Sequence, residues 1–324
     1  MSQERLSFSV IIPKRVGSKD LISQNIKSLD YPLHKLELIL VEGKHPAVQR
    51  NEGVKIANGE ILCFWDNDCQ PSPQYFQKVS QVFESDENVV AVGGPAIPIA
   101  KTFFKKIYAV TLQSYFVHYK MRARYIPIGK MRETDEKELI GCNLCIRREK
   151  FLELGCFNPA LYPNEENEFL NRLKRKNMGK VIYSPDVIVY REMRDNFFFF
   201  IKRFYKYGKG RAKQILCDSL KLNFIFFLPC IFFLYILSLI LIKSPFYYLP
   251  LIVYFCGGMV NSLKFAFKEK ILLSIFILPV MYFLIHISYG LGFLSGVIRY
   301  FVLKIGDNLG PNITINIEKI NSLR

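Results

Sequence analysis

Two carboxylates one residue apart, Asp66 and Asp68 in the run Phe64-Trp-Asp-Asn-Asp-Cys69, are the side chains here best placed to act together. Ionised, they repel each other and gain from a shared cation. Mg2+ or Mn2+ takes such oxygen ligands, keeps several waters and draws further ligands from substrate phosphates. A cation so held neutralises a diphosphate as a bond to it breaks. An ordinary Asp/Asn turn has the same composition. A second acidic set, Glu165, Glu166 and Glu168, lies in Tyr162-Pro-Asn-Glu-Glu-Asn-Glu168, just ahead of the helical run Phe169-Leu-Asn-Arg-Leu-Lys-Arg175. The dipole of a helix favours acids at its N-terminus. A carboxylate in that place is also a general base for a hydroxyl.

Both sets need a frame. Phe8-Ser-Val-Ile-Ile-Pro13 is an apolar, β-branched run closed by proline, which reads as a buried strand. A helix with Leu21, Ile22, Ile26 and Leu29 at helical spacing follows. Leu36-Glu-Leu-Ile-Leu-Val41 is a second strand, ending on Glu42-Gly43; residues 46–58, which include Arg50, suit a helix; Glu60-Ile-Leu-Cys-Phe-Trp65 is a third strand. This alternation predicts an α/β fold with crossover units on a mainly parallel sheet. Ligands of such sheets sit beyond the carboxyl ends of the strands. The loop after Pro13, Glu42 and Asp66-Asn67-Asp68 therefore share one rim. Further on, Gly141 to Arg148 reads as a strand leading into a helix at Glu149, and Val181 to Tyr190 as a strand pair. The stretch 95–140, with its basic cluster Lys120 to Arg124, is expected to shape an acceptor site.

The formal charge is +16 over 324 residues. Much of the excess flanks apolar sequence: Lys202, Arg203, Lys206, Lys209, Arg211, Lys213 and Lys221 stand against Asp195 and Asp218. Lacking an arginine-rich or aromatic-interleaved platform, the chain is not expected to bind nucleic acid. Charge-free runs at Leu222 to Ile242, Phe246 to Leu263 and Ile271 to about Gly290 have the length of bilayer crossings. The glycine-rich 289–297 either lengthens the third or lies along the interface. Residues 1–212 are expected to form the α/β domain, with an aromatic-basic interfacial helix over about 195–215. Residues 222–303 then form a membrane region of about three helices, and 304–324 a tail. The cations of the interfacial helix face lipid phosphates or close over a diphosphate; Arg203 and Arg211 are the candidates for the second role. The basic flank, and an N-terminus without an apolar leader run, predict a multi-pass protein of the plasma membrane with its α/β domain cytoplasmic. The eight cysteines show no paired framework. Cys142-x-x-Cys145 lacks the second ligand pair of a structural zinc, so free thiols are expected.

Ser9-Val-Ile-Ile-Pro13, Asp66-Asn-Asp68, Gly141-Cys-Asn-x-x-x-Arg-Arg148, Asn164-Glu-Glu-x-Glu168 and Tyr207-Gly-Lys-Gly210, in this order, resemble the family 2 glycosyltransferases of GT-A fold. The resemblance covers roughly residues 7–212. The membrane tail, with His286-Ile-Ser-Tyr-Gly-Leu-Gly, is similar to that of succinoglycan-type exopolysaccharide enzymes. The resemblance implies a Rossmann-like, mainly parallel mixed sheet, a nucleotide-diphosphate sugar donor and an inverting single displacement. The acceptor implied is a hydroxyl of a lipid-linked glycan or polysaccharide precursor. By position, Glu42 contacts the donor's base or ribose, with Pro13 and Arg50 also on the donor side. Asp68 is the main ligand of Mg2+ or Mn2+, and Asp66 assists it and the donor. Glu166 is the general base, Glu165 supports it, and Asn143 faces the acceptor.

There are three departures from the family pattern. The acidic cluster after the second strand is reduced to Glu42, followed by Gly43-Lys44-His45. Glu166 replaces the usual Asp. Arg191 stands near the place where many relatives carry a histidine metal ligand, so a third protein ligand is not expected. The Gln-x-x-Arg-Trp signature of processive synthases is absent, which implies one sugar per encounter. A polyprenyl-phosphate sugar synthase, and a catalytically inactive membrane scaffold or nucleotide-binding module, are the competing readings.

Overall fold

The computed structural model describes residues 5–20, 22, 26, 29–193, 196–217, 224–303 and 315–320. Contacts divide the chain into two units. One comprises Met1–Ile99, Ala123–Glu192 and Asn308–Arg324; the other comprises Ala100–Arg122 and Met193–Asp307. Thus 100–122, expected within the α/β domain, packs with the helices.

The first unit is built on β1 (Phe8–Lys14), β2 (Leu36–Glu42), β3 (Ile61–Trp65), β4 (Cys69–Pro71), β5 (Val89–Gly93), β6 (Ala96–Ile99), β7 (Arg132–Glu133), β8 (Asn143–Arg147), β9 (Lys180–Tyr183), β10 (Val189–Glu192) and β11 (Asn316–Ile320). Eight of these form one sheet in the order β11-β2-β1-β3-β8-β5-β9-β7. β1 is parallel to β2 and β3, and β5 to β9, while β8 runs antiparallel between β3 and β5. Alternate side chains enter opposite cores. Phe8, Val10, Ile12, Leu38, Leu40, Cys63 and Trp65 pack on one face, and Ile11, Ile39, Val41, Leu62 and Phe64 on the other. A sheet covered on both faces requires unbroken apolar strands, which is why β1, β2 and β3 stand out in the sequence. The helix Tyr75–Ser85 buries Tyr75, Phe76, Val79, Val82 and Phe83, one stripe at helical spacing. Most of the helix expected over 21–29 lies outside the described residues.

A smaller sheet, β4-β10-β6, carries the chain beyond the aspartates. The two strands expected over 181–190 are β9 and β10, and they lie in different sheets. Part of the expected tail is described. Residues 316–320 are an edge strand antiparallel to β2, held by Lys319 to Glu37 at 2.9 Å and to the Ile56 carbonyl at 2.7 Å.

In the second unit the helix Phe197–Cys217 packs lengthwise on Ser274–Val297. A Cβ on Gly208 would come 2.1 Å from the Tyr289 carbonyl oxygen, and one on Gly292 2.1 Å from that of Tyr205, so these backbones meet only through glycine. The Tyr205 and Ser295 hydroxyls add a hydrogen bond of 2.8 Å. Among the described residues two helices are long and apolar enough to cross a membrane, Pro245–Glu269 and Ser274–Val302. The first of the three expected crossings is not seen as such. Its helix, Leu228–Ser238, has 11 residues, about 16 Å against the roughly 30 Å of a bilayer core. Pro229 opens it, and it ends where the Ser238 hydroxyl turns back on the Tyr235 carbonyl. The glycine-rich 289–297 simply continues the last helix.

Candidate active site

The parallel strands end on one rim. Lys14 pairs in register with Glu42, and Trp65 with Asn143 at the start of β8. Gln49, on the helix Pro46–Lys55, donates to the Lys14 carbonyl at 2.9 Å and to that of Val41, pinning the ends of β1 and β2. Glu42 meets Lys14 at 3.2 Å, with Pro13 beside it at the partly open end of β1.

Asp66 and Asp68 leave β3 at this rim and converge on one cation, the guanidinium of Arg191. Its Nη2 lies 2.9 Å from Asp66 Oδ2, and its Nε 2.9 Å from Asp68 Oδ1. The small sheet places it there: β10 runs antiparallel to β4, so Arg191 stands opposite Cys69, the residue after Asp68. Both carboxylates hold the arginine protonated more firmly than usual, against the opposing effect of its burial. No local pattern announces this pairing, because it depends on a ladder between segments some 120 residues apart.

Arg50 makes the second link. Its Nη2 is 2.9 Å from the remaining Asp66 oxygen, and its Nη1 is 2.7 Å from Glu165 Oε1. Both terminal nitrogens of Arg50, expected on the donor side, bind carboxylates in this structure. The turn after β3 and the first turn of the helix Glu165–Arg175 thus form one ionic cluster. Burial, with the adjacent Glu166 charge, pushes the Glu165 carboxyl up to about 8 despite Arg50. Its Oε2 has no hydrogen-bond partner among the described residues.

Glu166 differs from both acidic neighbours. It is 8% exposed, and among the described residues no hydrogen bond or ion pair takes its carboxylate. It packs on Gly141, where a Cβ would lie 3.3 Å from Glu166 Cδ, so the glycine before β8 makes room for it. Glu168, by contrast, is bound to Arg172 at 2.8 Å, one turn on.

Asn143, expected to face the acceptor, lies inside the fold. It is fully buried, accepts from the Tyr75 hydroxyl at 2.7 Å, and donates to the Pro95 and Val187 carbonyls at 3.1 and 2.8 Å. It joins β8 to the segments entering β6 and β10. Arg124, from the basic cluster, is likewise spent on the Lys137 carbonyl at 2.9 Å and on Asn167 at 2.6 Å. Arg203 and Arg211 stand in the helical unit over aromatic rings: Arg203 at 5.4 Å from Phe200, Arg211 at 3.9 Å from Phe226. The described cysteines are free thiols, including Cys63 and Cys145 opposite each other in the sheet.

Among the described residues no group of three His, Cys, Asp or Glu side chains is arranged to hold a metal. Asp66 and Asp68 nevertheless fit one in type and direction. They are oxygen donors of the kind Mg2+ and Mn2+ take, and the Arg191 guanidinium marks a cationic position they already share.

Residues 17–155 match the family model described as Glycosyl transferase family 2. No curated protein matches the chain. Among solved structures it is similar to the mannosyltransferase PcManGT from Pyrobaculum calidifontis in complex with GDP-Man and Mn2+, at 16% identity over 91% of this chain and 88% of that one, with a TM-score of 0.53. It is also similar to TarS 1–349 of S. aureus in complex with UDP-GlcNAc, at 14% identity over 67% and 68%, with a TM-score of 0.48. The α/β unit resembles the GT-A fold.

Proposed function

We propose, from the match of residues 17–155 to the glycosyl transferase family 2 model, that the chain moves a sugar from a nucleotide-diphosphate donor to a hydroxyl of a lipid-linked or glycan acceptor, with inversion. The observation that carries this reading is Arg50, whose fork binds Asp66 and Glu165 together. It brings the aspartate turn and the Glu165-Glu166 pair to one end of the sheet. A cation site and a general base have to meet at such a place.

Glu166 is the base: its carboxylate takes the proton of the acceptor hydroxyl as that oxygen attacks the anomeric carbon opposite the diphosphate. Glu165, whose carboxyl burial pushes up, supports it through Arg50. Arg50 is a positioning residue, and Glu42 with Lys14 faces the donor's nucleoside at the ends of β1 and β2. Asp66 and Asp68 would hold Mg2+ or Mn2+, which when bound supplies positive charge to the departing diphosphate. The Mn2+ in the PcManGT complex supports that assignment by analogy of fold. The two long apolar helices anchor the enzyme in the plasma membrane, with the helix Phe197–Cys217 and its basic side chains on the cytoplasmic side.

The test is transfer itself. Membranes containing the chain are incubated with radiolabelled nucleotide sugars, and the lipid and polymer fractions are counted. Label is expected in one of them from one donor; donor-independent background throughout would refute the enzyme.

A further inference from the structure

The cation shared by Asp66 and Asp68 in this structure belongs to the chain itself. Arg191 uses the Nε–Nη2 edge of its guanidinium, one nitrogen to each carboxylate, both at 2.9 Å. Among the described residues its third nitrogen, Nη1, meets the Cys142 sulfur alone, at 3.7 Å. The other Asp66 oxygen is bound to Arg50 at 2.9 Å. A divalent ion arriving alone would find three of the four carboxylate oxygens engaged and two positive side chains against it. We propose that Arg191 is an internal counter-cation of the Asp66–Asp68 pair, which a divalent metal displaces only in company with a diphosphate.

The physical reason is that the guanidinium needs somewhere to go. Leaving two close ion pairs with carboxylates is costly for a guanidinium. A diphosphate offers the same planar fork a new pair of oxygens, because arginine matches phosphate and carboxylate alike. The Arg191 side chain is 29% exposed, so one side is open to such a ligand. Metal and diphosphate then favour each other's binding, and by linkage each tightens the other equally. Arg191 thereby keeps the aspartates paired between turnovers. This inference rests on the reading of the cluster as a nucleotide-sugar site, but its test does not need turnover.

Mn2+ binding to the detergent-purified full chain is followed by electron paramagnetic resonance, with and without UDP or GDP. In the wild type, weak binding of Mn2+ alone is expected, tightened about tenfold or more by one of the nucleoside diphosphates. Arg191→Gln should bind Mn2+ alone about tenfold more tightly than wild type and show a smaller gain from the nucleotide. Arg191→Lys, which keeps the charge but loses the fork, should fall between the two, and it carries the test if the glutamine variant does not fold. Unchanged or weaker Mn2+ binding in the variants, or none in any of the proteins, overturns the proposal. Sugar transfer is a separate readout: the expected Mn2+ pattern without transfer would leave the counter-cation standing and remove the enzyme.

Discussion

Three buried glutamates open one helix, and each has a different fate: Glu168 is held by Arg172, Glu165 by Arg50, and Glu166 by neither. Replacing Glu166 by Gln should lower transfer to a hydroxyl acceptor by about a hundredfold. Near-wild-type transfer to a lipid phosphate, which needs no base, would instead favour the polyprenyl-phosphate reading. Glu165 is legible through pH. Its carboxyl ionises near 4.5 when unfolded and near 8 in the fold. Between those values the folded chain keeps a proton the unfolded chain has lost, so this group makes stability fall as pH rises, by at most roughly 1.4 kcal/mol per unit. Thermal midpoints of Glu165→Gln from pH 5 to 8 should show that slope flattened; an unaltered slope would mean that Glu165 is ionised beside Arg50.

Elements explain which parts of the site could be read in advance. β1, β2 and β3 are buried on both faces, so composition alone locates them, and the rim with Glu42 and the aspartates follows from parallel crossover geometry. β11 and β10 left no such mark. β11 is a short, half-charged edge strand beyond the helices, and β10 matters because it meets β4 across the fold. Arg191 was visible only as a departure from a pattern, since its role depends on that antiparallel register. The burial of Asn143 was hidden for the opposite reason: a polar residue in a motif at the right rim is covered by the strand that carries it. Asn143→Ala should therefore cost about 1–3 kcal/mol of stability, by stranding the Tyr75 hydroxyl and two carbonyls. The KM for acceptor should stay unchanged in the folded fraction. A raised KM with normal stability would return Asn143 to the acceptor site.

For the whole molecule, membrane topology is the part that composition left least settled. The helix Phe197–Cys217 carries basic side chains and no acid, and Lys264, Lys268 and Lys270 end the next long apolar stretch. Placing both flanks on the cytoplasmic side takes two crossings between them, yet only Pro245–Glu269 is long enough among the described helices there. On the proposed orientation, Arg5→Cys should resist an impermeant maleimide in intact cells while Lys270→Cys reacts. Labelling of Arg5→Cys would overturn the orientation, and protection of both would show that 224–242 also crosses. Everything proposed for this chain nonetheless rests on Asp66 and Asp68 serving a sugar diphosphate. The most direct measurement is the transfer rate from the active nucleotide sugar in Asp68→Asn membranes, at matched protein level. A loss of about a hundredfold or more is expected, from withdrawing charge stabilisation at the leaving group. Transfer within a few-fold of wild type would contradict it.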